Sequence, residues 1–325
     1  MTANKVLETI KLVVENSEYV KINYEKLDSV AKRFAKEKLK IPSWEAPVFP
    51  EKNNKNTIDF ILLANSINFA YTDFNTFEKY STTFEGMKWR GAFGMYAALK
   101  RALNKSIDLL NGAYLENISE KQMKEIFNGN IEIPLLKDRL DIFHEVGGIL
   151  NNKYSGHFYN LVEDTNCRLF NNGKGLVERL TSEFPSFNDS VIYKGKLVRF
   201  DKRAQLGPAM LYGRFRNQGT FKVNDIEELT VFADYCLPKG LRDLEILKYK
   251  PELAEKVDNK KLIRAGSQEE LELRALTIHA SKELENKINQ YRDNNYVNAL
   301  HIDYKLWSES RNKKSPHHLT KTIMY

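Results

Sequence analysis

Apolar residues recur at helical spacing along most of the chain. Residues 6–14 place one every three or four positions, and a similar pattern covers residues 24–39 until Pro42 ends it. Residues 58–74 carry so many apolar and aromatic side chains that we expect them in the core or in the wall of a pocket. The first part of the chain is therefore predicted to be helical.

Several later segments carry more specific helix signals. Residues 89–103 read WRGAFGMYAALKRAL, in which small residues let a helix pack closely against another element. Ser119 and Gln122 can form a capping box, and a further helix is expected over residues 134–152. The clearest helix begins at Ser267, whose hydroxyl can cap it while Glu270 reaches back. Its predicted buried stripe consists of Leu273, Leu276, Ala280, Leu284 and Ile288.

One segment predicts strands. Residues 191–200 read VIYKGKLVRF, in which two apolar runs flank Lys194 and Gly195 as in a short hairpin. The chain contains no internal repeat, low-complexity tract or linker rich in Pro, Gly and Ser. We therefore expect a mainly α fold with a small β-hairpin element, built as a single domain over residues 1–325.

Composition adds little about partners. The 50 basic and 43 acidic side chains give a net charge of +7, which is spread along the chain rather than gathered into one block. A lysine-rich solvated surface explains this better than a nucleic-acid face, which needs its charge on one side. The excess of positive charge only weakly favours a ligand that bears phosphate.

The cysteines and the apolar runs bear on location. Cys167 and Cys236 lie far apart and form neither a disulfide framework nor a zinc pattern. Charged residues interrupt the apolar positions of residues 1–19, and no uncharged apolar run approaches the ~20 residues that a membrane span requires. We expect a cytoplasmic protein without a membrane segment.

Most familiar catalytic motifs are missing from the sequence. It has no Walker loop, GxGxxG, HExxH or GxSxG motif. The six histidines are not paired at metal-ligand spacing, apart from the adjacent His317 and His318, which could bind a metal adventitiously. We therefore expect no metal site and no cofactor.

A first candidate site residue is Asp234, within the segment TVFADYCLP of residues 230–238. Phe232, Tyr235 and Leu237 surround it, so its carboxylate is expected to be partly desolvated or specifically paired. Either state is typical of a functional site. A helix N-cap or a buried structural aspartate accounts for the pattern equally well.

A second candidate lies in residues 300–311, LHIDYKLWSESR. If this segment is helical, Asp303 and Trp307 share one face, while Tyr304 and Ser308 occupy the adjoining stripe. Such an aromatic wall beside polar groups suits a heterocyclic base. A C-terminal helix with a satisfied aspartate is the slightly simpler interpretation.

A third candidate is the cluster of cations in residues 199–205, RFDKRAQ. Phosphate is a natural partner for such a cluster, because Arg offers a fork of donors and Lys a point charge. Solvated charge, or an ion pair with Asp201, explains the cluster equally well.

Taken together, these segments resemble the queuosine-salvage family, the queuosine 5'-phosphate N-glycosidases, whose fold is similar to that of helical DNA glycosylases. The resemblance runs nearly from end to end and depends on the order and spacing of short pieces. They include NF at 68–69, AALKRAL at 97–103, FPSF at 184–187, KRAQ at 202–205, FADYCLP at 232–238, the helical piece EELELR at 269–274 and DYKLW at 303–307.

The resemblance implies roles for the first segment. Asp234 matches the family's catalytic carboxylate, which acts as nucleophile or stabilises the transition state. Breaking a ribosyl C–N bond develops positive charge on the sugar, which a fixed carboxylate in a water-poor site stabilises. Phe232 and Ala233 would bind the substrate, with Phe232 against the base or ribose.

The other two segments are implied to hold the substrate. Asp303, Tyr304 and Ser308 would line the base pocket, and Lys202 and Arg203 would hold the 5'-phosphate.

The sequence departs from the family pattern in four places. After KRAQ it runs LGPAM at 206–210, where the family usually has an apolar run that ends in aspartate. Ser308 stands where the family usually has an acidic residue, Cys236 stands where it usually has arginine, and residues 44–50 lack the expected histidine. Because queuine carries a cationic amine, loss of an acidic neighbour weakens the prediction of the exact base.

The predicted function is therefore hydrolysis of the N-glycosidic bond of queuosine 5'-phosphate, or of a related 7-deazapurine nucleotide, which releases the base for salvage into tRNA modification. The expected partner is a small-molecule nucleotide; a nucleic-acid partner is not favoured, and the oligomeric state stays open. The alternative is a non-catalytic protein with a glycosylase-like fold that binds tRNA, DNA or a modified base.

Overall fold

Helices form most of the computed structural model, which describes residues 4–294, 296–311 and 313–325. In these residues the helices are α1 Val6–Thr9, α2 Lys11–Glu15, α3 Tyr24–Ala35, α4 Lys55–Ser66, α5 Ala92–Asn104, α6 Gly112–Asn117, α7 Glu120–Ile126, α8 Leu136–Tyr154, α9 Phe158–Glu163, α10 Leu176–Glu183, α11 Lys202–Phe215, α12 Cys236–Asp243, α13 Pro251–Asp258, α14 Gln268–Gln290 and α15 Ala299–Arg311. The strands are β1 Val20–Ile22, β2 Ser81–Phe84, β3 Met87–Arg90, β4 Ser190–Tyr193, β5 Lys196–Arg199 and β6 Leu247–Tyr249. The prediction of a mainly α fold is confirmed.

The strands form antiparallel pairs, β1 with β6, β2 with β3 and β4 with β5. The last pair is the predicted hairpin, and its turn residues Lys194 and Gly195 have φ values of 47° and 77°. These left-handed values suit the tight turn that joins two twisted strands.

The hairpin of β2 and β3 was not predicted, and it changes the expected start of the next helix. Trp89 pairs with Thr82 in this hairpin, so the expectation of a helix from residue 89 onwards was wrong. The helix begins only at Ala92. Strand pairing with a neighbour decided the conformation of residues 87–90, a contact that the helical spacing of small residues did not reveal.

The contacts divide the described residues into two compact units. The first takes in the described residues of 1–42, 189–205 and 227–321, and the second takes in 43–188, 206–226 and 322–325. The expectation of one domain over residues 1–325 stays a prediction.

The core of the first unit is built around α14. The predicted stripe of this helix is buried, as expected, and Ser267 accepts a hydrogen bond from the backbone N–H of Glu270 at 3.4 Å. The Glu270 carboxylate in turn accepts from the N–H of Gly266 at 3.1 Å, one residue earlier than a capping box requires. Glu272 and Arg274 are buried as well, so α14 buries more than the single face that was predicted.

Glu272 shows how the buried helix α14 accommodates a charge. Its carboxylate accepts backbone N–H bonds from Glu18, Tyr19 and Val20 at 2.9, 2.6 and 2.9 Å. A buried carboxylate requires such partners, because leaving it unpaired would cost several kcal/mol. These bonds fix the start of β1 against α14.

The second unit confirms several predictions. The capping box of Ser119 and Gln122 is present at the start of α7, and α4 within the apolar stretch 58–74 is buried almost throughout. Arg139 of α8 is fully buried and donates to the carbonyls of Pro134 at 3.0 Å and Ala70 at 2.8 Å. Across the described residues, every helix falls short of the combined length and apolar character that a membrane span requires.

We expect Gly147→Ala to lower the free energy of unfolding by about 1–3 kcal/mol, because a Cβ there would collide with the backbone nitrogen of Glu116 and lie 2.6 Å from the carbonyl oxygen of Gly112. Gly148→Ala is the matched control, since its Cβ would find the nearest atom, a carboxylate oxygen of Glu116, at 3.5 Å. That variant should be neutral or more stable by up to ~1 kcal/mol through helix propensity. Urea denaturation of both variants measures the difference, and equal stabilities would contradict close packing of α8 on α6.

Candidate functional site

Asp234 lies two residues before the start of α12, and it is half-buried. Its Oδ1 atom accepts backbone N–H bonds from Cys236 at 2.6 Å and from Leu237 at 3.2 Å. Tyr235 holds the N-cap position of α12, so Asp234 is not the N-cap residue, but its carboxylate does bind the N–H groups of the first two helix residues. The same bonds orient the side chain and favour its ionised form, because the N-terminus of a helix carries partial positive charge.

Lys202 and Arg203 stand at the start of α11, and both are buried, with relative exposures of 4% and 2%. The interpretation of this cluster as solvated charge was therefore wrong for these two residues. Burial lowers the pKa of Lys202, while the negative charge of Asp234 raises it, as does that of Asp303 when this group is ionised. These interactions bring the second and third candidate segments into electrostatic reach of Asp234.

The third cation of this cluster has a different partner. Arg199 donates from Nε and Nη2 to the two carboxylate oxygens of Asp201 at 2.9 and 3.2 Å. This is the ion pair with Asp201 that the sequence left open as an alternative.

Asp303 is held by the segment that contains Asp234. Its Oδ1 atom accepts the backbone N–H of Phe232 at 2.9 Å. Burial raises the pKa of Asp303 to about 8; the bond from Phe232 opposes this rise, the charge of Asp234 adds to it, and Lys202 opposes it. Asp303 is therefore mainly protonated at neutral pH and can donate a hydrogen bond.

Residues 300–311 are helical, as the interpretation of this segment assumed, and two aromatic side chains of α15 are in contact. The rings of Tyr304 and Trp307 stack with their centroids 6.1 Å apart and their planes at 24°. The hydroxyl of Ser308 donates to the carbonyl of Lys305 at 3.0 Å within the same helix. In the preceding segment, the side chain of Phe232 is buried.

A residue from the C-terminal part of the first unit packs against Tyr235, the residue that follows Asp234. The ring of His317 lies 4.4 Å from that of Tyr235, at an angle of 32°. Burial lowers the pKa of the adjacent His318 to about 3, so this imidazole is neutral at pH 7. The sequence singled out these two histidines only as adventitious metal ligands. Among the described residues, no group of three or more His, Cys, Asp or Glu side chains could hold a metal ion.

Sequence reasoning missed a buried ion pair that supports the candidate segments. Arg274 donates from Nη1 to Oδ1 of Asp189 at 2.9 Å, and its second bond goes to the other carboxylate oxygen. Asp189 stands directly before β4 in an ordinary polar sequence, and Arg274 falls on a helix whose predicted apolar stripe excluded it. The strongest available signal was that Arg274 ends one of the segments that resemble the family.

Grouped in this way, the candidate residues offer three different chemical environments. Asp234 is a carboxylate with backbone donors, Asp303 is a carboxyl group that holds its proton near neutral pH, and Lys202 is a buried cation that interacts with both. Two carboxyl groups in such different environments can divide the roles of base and acid between them.

Asp303 makes the stability of the protein depend on pH. Its folded pKa of about 8 lies above its ordinary value of 3.8, so the stability that the bound proton contributes is complete at low pH and is lost as the pH rises to about 8. Between pH 6.5 and 8.5, wild type should lose about 1–2 kcal/mol more of its free energy of unfolding than Asp303→Asn. Urea denaturation at the two pH values tests this.

Asp201→Asn is the control for this experiment. Burial raises the pKa of Asp201 only to about 6, so its effect on stability is confined to lower pH and the loss between pH 6.5 and 8.5 should match that of wild type. Equal losses in wild type and Asp303→Asn would show that Asp303 is already ionised at pH 6.5.

Comparisons with known proteins place these residues in a family. The sequence profile of the family described as queuosine salvage protein matches residues 48–325. The chain is 33% identical to a queuosine 5'-phosphate N-glycosylase/hydrolase of Sphaerobacter thermophilus, an alignment that covers 98% of this chain and 97% of that protein. Proteins of the same name from Dictyostelium discoideum and Mus musculus are 32% and 27% identical, each with 98% of both chains covered. The chain therefore belongs to the queuosine salvage protein family.

Proposed function

We propose that this protein hydrolyses the N-glycosidic bond of queuosine 5'-phosphate and releases queuine and ribose 5-phosphate. The relatives named above carry this activity in their names, and the family match includes the three candidate segments. The observation that carries the proposal is that Asp303 accepts the backbone N–H of Phe232, two residues before Asp234. Two carboxyl groups in contrasting environments thus meet at one segment, and the buried Lys202 interacts electrostatically with both.

Asp234 is proposed to stabilise the sugar. As the bond from C1' to the base nitrogen breaks, its electron pair leaves with the base and positive charge develops on the ribose ring. A carboxylate that is already oriented by the backbone N–H groups of Cys236 and Leu237 stabilises this charge without reorganising. The same carboxylate can accept a proton from the water molecule whose oxygen bonds to C1'.

Asp303 is proposed to assist departure of the base. A carboxyl group with a pKa of about 8 carries a proton at neutral pH, and it can donate that proton to the base as the C–N bond breaks. The proton that Asp234 takes from water restores the balance once it is passed to solvent or back to Asp303. The overall reaction consumes one nucleotide and one water molecule and produces one free base and one ribose 5-phosphate.

The remaining candidate residues are proposed to bind the substrate. The buried cations Lys202 and Arg203 would attract the 5'-phosphate, and Phe232 and Tyr304 would offer flat surfaces to the base or the ribose. Ser308 would lie at the edge of the base pocket. Ser308 offers a hydroxyl group and no negative charge, so its contact with the cationic arm of queuine is expected to be weak.

Asp234→Asn should lower kcat by ~100- to 1000-fold while leaving substrate binding largely unchanged. The amide oxygen can still accept the N–H bonds of Cys236 and Leu237, so only the negative charge is lost. Mass detection of queuine released from queuosine 5'-phosphate measures turnover, and calorimetry measures binding. Full activity in this variant would exclude Asp234 from the reaction.

The matched control for that variant is Asp225→Asn. Asp225 is a buried aspartate that also accepts backbone N–H bonds, from Leu169 at 2.9 Å and from Phe170 at 3.0 Å, but it lies outside the candidate segments. Its variant is expected to be less stable and to keep its turnover at temperatures below unfolding.

Lys202→Gln tests the proposed phosphate contact. We expect kcat/KM for queuosine 5'-phosphate to fall by ~10- to 100-fold, because a charged hydrogen bond contributes ~1.5–3 kcal/mol. The corresponding value for queuosine, which has no phosphate, should change little. Lys196→Gln, an exposed lysine of the neighbouring strand β5, is the control and should behave as wild type. Equal losses on both substrates would assign Lys202 to the carboxylates instead of the phosphate.

A further inference from the structure

Arg274 of α14 binds both the carboxylate of Asp189 and the backbone carbonyl of Ala233, the residue before Asp234. Its side chain is 3% exposed, and its guanidinium binds both carboxylate oxygens of Asp189. Its Nε atom donates to the carbonyl oxygen of Ala233 at 3.3 Å, and the guanidinium lies 4.0 Å from the ring centroid of Phe200. Arg274 therefore holds the peptide group that joins Ala233 to Asp234.

Asp189 extends this connection to the other candidate segment. Its Oδ2 atom accepts the backbone N–H of Lys202 at 3.2 Å, and its own carbonyl accepts the N–H of Phe200 at 2.9 Å. The first residue of α11 is thus tied to the same carboxylate that binds Arg274. One ion pair fixes the backbone at Lys202 and at Ala233 together.

The segment before Asp234 is held from a second side as well. Asp303 accepts the N–H of Phe232, while Arg274 binds the carbonyl of Ala233. Two successive residues of the chain are therefore anchored by side chains from α15 and α14. Anchoring of this kind limits the backbone rotation that would move the Asp234 carboxylate.

Stability alone does not account for the ion pair of Arg274 and Asp189. Replacing a buried ion pair by well-packed apolar residues of similar volume is often neutral or stabilising, because the charges no longer have to lose their water. The arrangement that apolar residues could not supply is a set of directed bonds to the backbone beside Lys202 and beside Asp234.

We propose that Arg274 is a positioning residue, which, together with Asp189, holds the Asp234 carboxylate and Lys202 in the mutual geometry that N-glycosidic hydrolysis requires. This inference rests on the proposed function. Arg274 acts through Ala233 and Asp189 and makes no contact with substrate in this proposal. A misplacement of about 1 Å at a reacting group can cost about 100-fold in rate, so loss of the anchor should be visible in turnover.

The first test is Arg274→Lys, which keeps the charge and cannot form the two-bond contact with Asp189 together with the bond to Ala233. We expect kcat for queuosine 5'-phosphate to fall by ~10- to 100-fold, with KM within about threefold of wild type, at a temperature well below unfolding. Asp189→Asn should show the same division between kcat and KM. A folded Arg274→Lys variant with wild-type kcat would overturn the proposal.

Arg199→Lys is the matched control. Arg199 forms a similar two-bond pair with Asp201 in the same unit, but no bond from its side chain reaches Ala233. This variant should lower the melting temperature and leave kcat within about twofold of wild type. An equal fall in kcat for Arg199→Lys and Arg274→Lys would mean that general loosening, rather than the anchor at Ala233, slows the reaction.

A second variant protects the test against failure to fold. Arg274→Met combined with Asp189→Leu removes both charges of the pair together, so it should lower the melting temperature less than a single substitution that leaves one buried charge unpaired. Glu270, whose carboxylate lies 3.6 Å from Nη1 of Arg274, keeps its bond from the N–H of Gly266. The proposal expects the folded double variant to be slow, and full kcat would overturn it. If wild type itself releases no queuine from queuosine 5'-phosphate, the proposed function fails; if wild type is active and the variants match it, only the role of Arg274 fails.

Discussion

Charged side chains on a buried helix require partners, and this requirement organises the first unit. Helix α14 buries Glu270, Glu272 and Arg274 among its apolar residues. Water cannot reach these charges, so their partners come from the protein, and leaving one unpaired would cost several kcal/mol. The Glu272 carboxylate accepts the backbone N–H groups of residues 18–20. Arg274 donates to the carboxylate of Asp189 and to the carbonyl of Ala233. The pairing of α14 thus fixes segments that are far from it in sequence.

The same constraint gives the two carboxyl groups of the site different character. Asp234 accepts N–H bonds at the start of α12, which favours its charged form. Asp303 has one such bond and is surrounded mainly by protein, so burial dominates and its pKa rises to about 8. Lys202 interacts with both groups, and each environment follows from the elements that meet around it rather than from the residue type.

Much of the fold could be read from local patterns. The capping box of Ser119, the hairpin turn at Lys194 and Gly195 and the buried stripe of α14 depend on residues close together in sequence, and all three are present. The pairing of β1 with β6 and the second hairpin were missed. Short strands are stabilised by the strand they pair with, and the sequence of three or four residues does not indicate which strand that is.

For the candidate site, too, some features follow from the local sequence and others depend on tertiary packing. The sequence by itself determined that Asp234 lies among aromatic residues, that Asp303 and Trp307 share a face of a helix, and that cations follow the strand at 196–199, because spacing along one element depends only on helix and strand geometry. Only the tertiary structure decided that Lys202 interacts with both carboxyl groups, that Asp303 holds its proton near neutral pH, and that Arg274 joins Asp189 to Ala233. Burial and ion pairing between distant segments depend on which elements pack together, and that packing is a property of the whole core.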